Sequence, residues 1–227
     1  MLWINDLALL FFPSNCLVCG KRLHTLEQAL CLVCEMKMPR TSFEKKEANP
    51  ISQVFWGRVP VNCGTSLFHF EKGSVYQSLL HDLKYRGNRK AGIYLGRMLG
   101  ESLLDTCFSN CDLMVPVPLH RRKLKQRGYN QSELIAHGAS EITGIPVAKR
   151  LIVRKSYGHS QTSKNRQERF ENMAQAFRLR DHSLNLDDKR ILLIDDVITT
   201  GATLEACSRV LFNHFKCLVY VATVSCA

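Results

Sequence analysis

The chain has 227 residues, of which 45% are hydrophobic and 22% are charged, a length that accommodates one ordinary domain and a small additional module. This composition is typical of a folded globular protein and excludes a fibrous, low-complexity or disordered chain. The formal net charge of +11 favours anionic partners, and nucleic acid, phosphorylated metabolites and acidic proteins all satisfy that requirement.

The first residues are apolar and could be confused with a targeting segment. They lack a basic start and a small-residue cleavage site, and the run before Pro13 is too short to cross a bilayer. Four of them share one helical face, namely Trp3, Leu7, Leu10 and Phe11. We therefore predict a short amphipathic helix that packs on the rest of the protein. No other segment is long enough to span a membrane, and we expect a cytoplasmic protein.

Two CxxC pairs follow, with eleven residues between them: Cys16 and Cys19, then Cys31 and Cys34. Such pairs can bring four thiolates to one tetrahedral Zn²⁺ ion, although redox dithiols or buried free cysteines are the alternatives. A four-sulfur site has no open coordination position, so we predict a structural zinc ion that serves folding or docking. His24 could replace one ligand. Five further cysteines lack paired spacing and are predicted to be buried apolar residues: Cys63, Cys107, Cys111, Cys207 and Cys217.

The hydrophobic pattern changes after a polar connector at 39–50. We predict an N-terminal unit at 1–55, with helix, zinc module and connector, and a second domain at 56–227. In the second domain strands and helices alternate. Strands are predicted near 61–70, 112–118, 146–153, 173–180, 190–195 and 218–224, and helices near 75–83, 95–103, 129–143 and 202–215. This order predicts an α/β fold, an open and mostly parallel sheet that binds ligands beyond the carboxyl ends of its strands.

The segment ILLIDDVITTGATLEA at 191–206 carries the clearest chemical signal. Asp195 and Asp196 lie where a buried strand leaves the sheet, and two unpaired carboxylates there would be costly unless they face sugar hydroxyls or a hydrated divalent cation. The next residues open a helix, where backbone N–H groups, the helix dipole and hydroxyls can hold a phosphate. They are Thr199, Thr200, Gly201, Ala202 and Thr203. Neither a GxxxxGK[ST] nor a GxGxxG motif occurs.

This run resembles the 5-phosphoribosyl-1-pyrophosphate (PRPP) site of type I phosphoribosyltransferases. The resemblance implies that the two aspartates bind the ribose hydroxyls and that the 199–203 loop binds the 5-phosphate. It also implies a pyrophosphate loop after an early strand, and the basic segment after Pro118 fits that place, with Leu119, His120, Arg121 and Arg127 as candidates. A solvated basic face is the alternative. A polar segment with Lys164, Arg166 and Arg169 matches the place of the lid loop, which excludes water from the reactive ribosyl centre.

The whole set of motifs resembles the ComF family. Three segments carry this resemblance beside the cysteine pairs and the PRPP-type loop: LKYRG at 83–87, PVPLHRRKLKQRGYNQ at 116–131 and QTSKNRQERFENMAQAF at 161–177. The resemblance implies a cytoplasmic protein of natural competence that helps single-stranded DNA entering the cell, near a DNA helicase partner.

Three functions remain compatible with these motifs. The first is a Mg²⁺-dependent phosphoribosyltransferase with an unknown acceptor, for which no general base stands out, so its catalytic residues are unknown. The second is a protein that senses PRPP or handles DNA on a transferase scaffold without turnover. Lys84, Tyr85 and Arg86 are its DNA-binding candidates, although Tyr85 could instead pack a helix end. The third is a nucleobase salvage enzyme, which needs neither the zinc module nor the basic excess.

Overall fold

The structure is a computed structural model that describes residues 15–24, 27–71, 73–155, 176–181 and 183–227. Two predictions lie outside the described residues. They are the amphipathic helix of the first fourteen residues and the lid, with its candidates Lys164, Arg166 and Arg169.

Strands and helices alternate along most of the described chain, as the hydrophobic pattern predicts. The elements in chain order are α1 (Leu32–Met36), a 3₁₀ turn (Phe43–Lys45), α2 (Pro50–Gln53), β1 (Val61–His69), α3 (Gln77–Tyr85), α4 (Arg89–Leu103), β2 (Leu113–Pro116), α5 (Arg121–Arg127), α6 (Gln131–Thr143), β3 (Ile152–Arg154), β4 (Phe177–Leu179), β5 (Arg190–Ile198), α7 (Ala202–Phe212) and β6 (Leu218–Cys226).

The main sheet has four parallel strands in the order β1-β6-β5-β2. Strand β5 lies inside this sheet and is buried on both faces, which explains its uninterrupted run of apolar residues. Ile191 and Leu193 face one apolar cluster, whereas Leu192 and Ile194 face the other. The predicted α/β class, with a parallel sheet flanked by helices, is confirmed.

Two of the predicted strands do not join the main sheet as strands. Near Pro146, only an isolated parallel bridge joins Val147 to Met114. The exposed turn at Lys149 and Arg150 then leads the chain away. Strand β3 therefore begins only at Ile152 and pairs antiparallel with β4 in a separate two-stranded sheet.

Helices α4 and α6 cross on one face of the sheet at very short range. A Cβ atom at Gly96 would lie 2.2 Å from the carbonyl oxygen of Ile135, and one at Gly138 would lie 2.0 Å from that of Ile93. The two glycines thus allow the backbones to touch, and any side chain there would push the helices apart. This contact fixes α6, whose first turn reaches the candidate site.

The N-terminal part packs on the second domain through a common core. Ile51 and Phe55 belong to the same cluster as Val59 and the strand β5 residues, and the Asn49 amide donates to the Gly64 carbonyl at 2.8 Å. The boundary between residues 55 and 56 remains a prediction. Of the five cysteines predicted to be buried, Cys107 is partly exposed and the other four are buried, as is Cys226. Within the ranges described here, no helix is long and apolar enough to cross a membrane.

Candidate functional site

Asp195 lies in the carboxyl-terminal half of β5, and its carboxylate accepts two hydrogen bonds. The Ser132 hydroxyl donates to its Oδ1 at 2.8 Å, and the Asp196 backbone N–H donates to the same oxygen at 2.9 Å. Burial and the neighbouring Asp196 carboxylate raise the pKa of Asp195 to about 7, against the lowering effect of the two donors and of Lys84. A group with this environment is stabilised by any added positive charge, such as a divalent cation.

Asp196 forms an ion pair with Lys84 at the carboxyl end of α3. The Lys84 Nζ lies 3.1 Å from Asp196 Oδ2, and the two side chains are only 26% and 15% exposed. The sequence predicts Lys84 as a DNA contact. The structure puts this ammonium group beside the aspartate pair, so Lys84 is part of the candidate ribose site as well.

The 199–203 loop joins β5 to α7. Thr199 and Thr200 are exposed, whereas Gly201 is buried and caps the helix with a φ of 73°. The first N–H groups of a helix have no partner within that helix, and the dipole makes its start electropositive. The loop therefore has the strand–loop–helix geometry that binds a phosphate group.

A second layer of residues supports this loop, and sequence reasoning missed it. Arg58 donates to the Thr200 carbonyl at 2.9 Å and forms an ion pair with the buried Glu205. Glu205 also accepts from Arg209 Nη2 at 2.8 Å, and Val54 packs against Gly201. The spacing of Glu205 and Arg209 by four residues could have indicated their pair. Arg58 gives no signal in the sequence.

The predicted pyrophosphate loop follows β2 at the same edge of the sheet. The Val117 N–H donates to the Ile194 carbonyl at 2.9 Å, so the loop starts beside Asp195. Leu119 and His120 are partly buried there. The His120 ring accepts from the Arg122 N–H at 3.2 Å and caps α5, whose first residue, Arg121, is exposed.

Arg127 lies at the other end of α5 and stacks on Tyr85. Its guanidinium carbon lies 5.2 Å from the ring centroid of Tyr85, which is itself 66% exposed. Arg86 pairs with Asp82 at 3.4 Å and stays largely in solvent. The structure therefore brings one pyrophosphate candidate, Arg127, onto a DNA candidate, Tyr85, and with the neighbouring Lys84 and Arg86 these residues form a basic and aromatic surface, whereas Arg121 lies at the far end of α5.

The two cysteine pairs converge on one point. The sulfur atoms of Cys16, Cys19, Cys31 and Cys34 all lie within 4.8 Å of one another, and those of Cys19 and Cys31 are 3.7 Å apart. A tetrahedral zinc ion with Zn–S bonds of about 2.3 Å separates its ligands by about 3.8 Å. The four thiols therefore fit such an ion, and His24 is outside the group.

The charge balance of this cluster also suits a cation. Burial raises the pKa of Cys16, but backbone N–H groups of Cys19, Cys31 and Val18 oppose it and bring the value down to about 7. Burial and the neighbouring thiols raise the pKa of Cys34. Four thiolates can share so small a space only if a positive ion compensates them.

Comparison with known proteins first identifies the class of protein. The family model described as a phosphoribosyl transferase domain matches residues 133–225, which include the aspartate pair and the 199–203 loop. Together with the parallel sheet and its ligand-facing edge, this match defines a protein with a phosphoribosyltransferase domain.

Three relatives then show which proteins the whole chain resembles. Competence protein F of Haemophilus influenzae is 24% identical, over 88% of this chain and 92% of its own. DNA utilization protein YhgH of Salmonella typhi is 25% identical, over 94% of this chain and 97% of its own. Competence protein ComFC of Bacillus subtilis is 31% identical, over 46% of this chain and 40% of its own. These matches confirm the resemblance to the ComF family that the sequence motifs indicate.

Proposed function

We propose that this protein binds PRPP with Mg²⁺ at the carboxyl end of β5 and acts in the handling of single-stranded DNA. The observation that carries the PRPP part is the juxtaposition of an aspartate pair, a helix-opening loop and a second loop at one edge of the sheet. Asp195 and Asp196 would face the ribose hydroxyls, residues 199–203 the 5-phosphate, and Leu119 and His120 the pyrophosphate.

Mg²⁺ would supply the positive charge that this site needs. That charge would neutralise the leaving pyrophosphate. Lys84, which pairs with Asp196 in this structure, would turn to the pyrophosphate once Asp196 faces the ribose. Ser132 holds Asp195 in a fixed orientation throughout, because its hydroxyl is bonded to that carboxylate.

The reaction proposed for this site is phosphoribosyl transfer to an acceptor that remains to be identified. The acceptor nucleophile attacks C1 of the ribose, and the bond from C1 to the pyrophosphate oxygen breaks with its electron pair leaving on pyrophosphate. The proton of the acceptor passes to a base or to water. A lid over the ribosyl centre would exclude competing water, and Lys164, Arg166 and Arg169 remain candidates for that role.

The four-cysteine group is proposed to hold one structural Zn²⁺ ion. Its support is the fit of the thiol spacing to a tetrahedral site. One zinc ion per chain by elemental analysis, with loss of that ion in Cys19→Ser, is the expected result. Zinc-free protein with unchanged thermal stability would contradict it.

The DNA part of the proposal is supported by the names of the relatives and by the surface around Tyr85. Competence protein F and the DNA utilization protein are named for DNA-related roles. Arg127 lies over the exposed Tyr85 ring, and Lys84 and Arg86 flank Tyr85 in the sequence. Such a combination binds single strands through phosphate contacts and base stacking. A cytoplasmic location and a helicase partner belong to the same proposal and follow only from the family.

Calorimetry with PRPP tests the site. We expect micromolar binding that requires Mg²⁺ and disappears in the double variant Asp195→Asn/Asp196→Asn. The matched control is Asp187→Asn/Asp188→Asn, an adjacent acidic pair before the amino end of β5, where affinity should be unchanged. Binding that survives loss of the aspartates would refute the assignment.

The second candidate function is a PRPP sensor or DNA-handling scaffold without turnover. It is favoured by the ion pair of Lys84 with Asp196, which gives that carboxylate a partner without a substrate. Pyrophosphate release in the presence of PRPP, Mg²⁺ and candidate acceptors separates the two: transfer produces one pyrophosphate per product, whereas a sensor binds PRPP and releases none.

A further inference from the structure

The four-cysteine module and helix α3 are bonded to each other directly. The Tyr76 hydroxyl, at the start of α3, donates to the carbonyl oxygen of Cys34 at 2.8 Å. The Ser78 hydroxyl lies 3.1 Å from the carbonyl oxygen of Leu17, which stands between the first two cysteines. Each CxxC segment therefore contacts α3 through one of its own carbonyl groups.

The two parts also share one apolar core. Cys16, Leu30 and Cys34 belong to the same buried cluster as Tyr76 and Leu79. Helix α3 has only nine residues, and a helix of this length is marginal without tertiary contacts. Its direction is therefore determined by what it packs against at each end.

The opposite end of α3 enters the candidate PRPP site. Lys84, the penultimate residue of the helix, lies 3.1 Å from Asp196, and the Tyr129 hydroxyl donates to the neighbouring Leu83 carbonyl at 2.6 Å. With a rise of about 1.5 Å per residue, Tyr76 and Lys84 are about 12 Å apart along the axis. A small tilt at the cysteine end would therefore displace the ammonium group at the other end.

From this geometry we infer that the zinc-loaded module positions α3, and that Tyr76 is the positioning residue through which it holds Lys84 at the candidate PRPP site. The inference rests on the proposed function, because it assigns the module a role at that same site. It explains why a metal module without an open coordination position accompanies a transferase domain. The module acts on the site through α3 and does not touch the ligand.

The chain offers a matched control for Tyr76. The Tyr94 hydroxyl donates to Glu35 Oε2 at 2.7 Å, and Glu35 lies next to Cys34. Tyr94 belongs to α4, which does not carry Lys84. The variants Tyr76→Phe and Tyr94→Phe each remove one hydroxyl that bonds the same module, but only Tyr76→Phe loosens α3.

The experiment compares these variants by zinc content, thermal unfolding and PRPP affinity in Mg²⁺. Both should retain one zinc ion and lose similar thermal stability. Tyr76→Phe should weaken PRPP binding about fivefold, as expected for loss of one buried hydrogen bond, whereas Tyr94→Phe should leave it unchanged. In a Lys84→Met background the Tyr76→Phe effect should disappear, because the displaced group is then absent. Equal affinities for the two tyrosine variants would overturn the inference.

Hydrogen exchange separates this result from failure of the proposed function. Removal of zinc in Mg²⁺-free buffer should accelerate amide exchange across 77–85 and leave α6 protected. Wild-type protein that binds no PRPP would refute the proposed function, yet faster exchange in α3 would still support the positioning role. Unchanged exchange in α3 after zinc removal would refute the positioning role whether or not PRPP binds.

Discussion

Replacement of Gly201 by alanine tests whether the loop geometry is what the site requires. Gly201 begins α7 with a φ of 73°, and a Cβ atom there would lie 2.5 Å from Val54 Cγ1 and 3.2 Å from Phe55 Cε1. The substitution therefore combines an unfavourable backbone conformation with a steric clash against the segment that follows α2. Either the loop or this segment must move, and the loop is the proposed phosphate site.

The magnitude follows from these two contributions. A non-glycine residue with positive φ costs about 1–2 kcal/mol, and overpacking of a tight contact costs about 1–3 kcal/mol. Gly144→Ala supplies the control, because Gly144 has the same φ of 73° and no atom within 4 Å of the added Cβ. We expect Gly144→Ala to lower the free energy of unfolding by about 1–2 kcal/mol and Gly201→Ala by about 2–5 kcal/mol.

Urea denaturation measures both variants, and calorimetry measures their PRPP affinity. Gly144→Ala should bind PRPP as the wild type does, since it alters the far end of α6. Gly201→Ala should bind at least tenfold more weakly, and Val54→Ala in the same chain should restore part of the affinity by removing the clashing methyl group. Equal destabilisation of the two glycine variants, or normal PRPP binding by Gly201→Ala, would refute the reasoning.

Three further predictions concern charges at the site. Because the pKa of Asp195 is raised from 3.8 to about 7, the folded protein binds more protons than the unfolded chain in that window, so stability falls as the pH rises through it. Urea unfolding of Asp195→Asn without divalent ions should lack this fall, and parallel curves for both proteins would contradict it. Lys84→Met should reduce the salt slope of single-strand binding by about 0.7, whereas Lys189→Met, before the amino end of β5, should not; fluorescence anisotropy measures both. Glu205→Gln should lower the free energy of unfolding by about 2 kcal/mol because two partly exposed arginines lose their buried partner, and a change below about 0.5 kcal/mol would exclude that role.

The part of the site that is contiguous in the sequence could be predicted from it. Strand β5, the aspartate pair and the loop that opens α7 form one run, and each piece has its own local signal: an apolar stretch, a polar strand end and a glycine before a helical pattern. The cysteine pairs are local in the same sense. Their spacing within each pair indicates a metal site before any long-range contact is known.

Contacts between distant segments could not be predicted, because no local sequence pattern depends on them. The pairing of Lys84 with Asp196 and that of Arg58 with Glu205 arise only when α3 and the segment after α2 pack against the edge of the sheet. The separate β3–β4 sheet was missed for a similar reason. A short apolar segment shows that a strand is favourable, but its partner is determined by the turn that precedes it.

The two halves of the proposed function meet at Lys84, and this contact makes them dependent on each other. The ammonium group is bound to Asp196 in this structure and lies next to Tyr85 in the sequence, at the edge of the basic and aromatic surface. Asp196, a pyrophosphate oxygen and a DNA phosphate would therefore compete for this one positive charge. If PRPP displaces Asp196 from Lys84 and then pairs with Lys84 itself, it would weaken the binding of single-stranded DNA at this residue. Single-strand affinity measured with and without Mg²⁺ and PRPP therefore reports on both functions. If the two ligands share Lys84, PRPP should weaken single-strand binding, whereas separate sites would leave the two affinities independent.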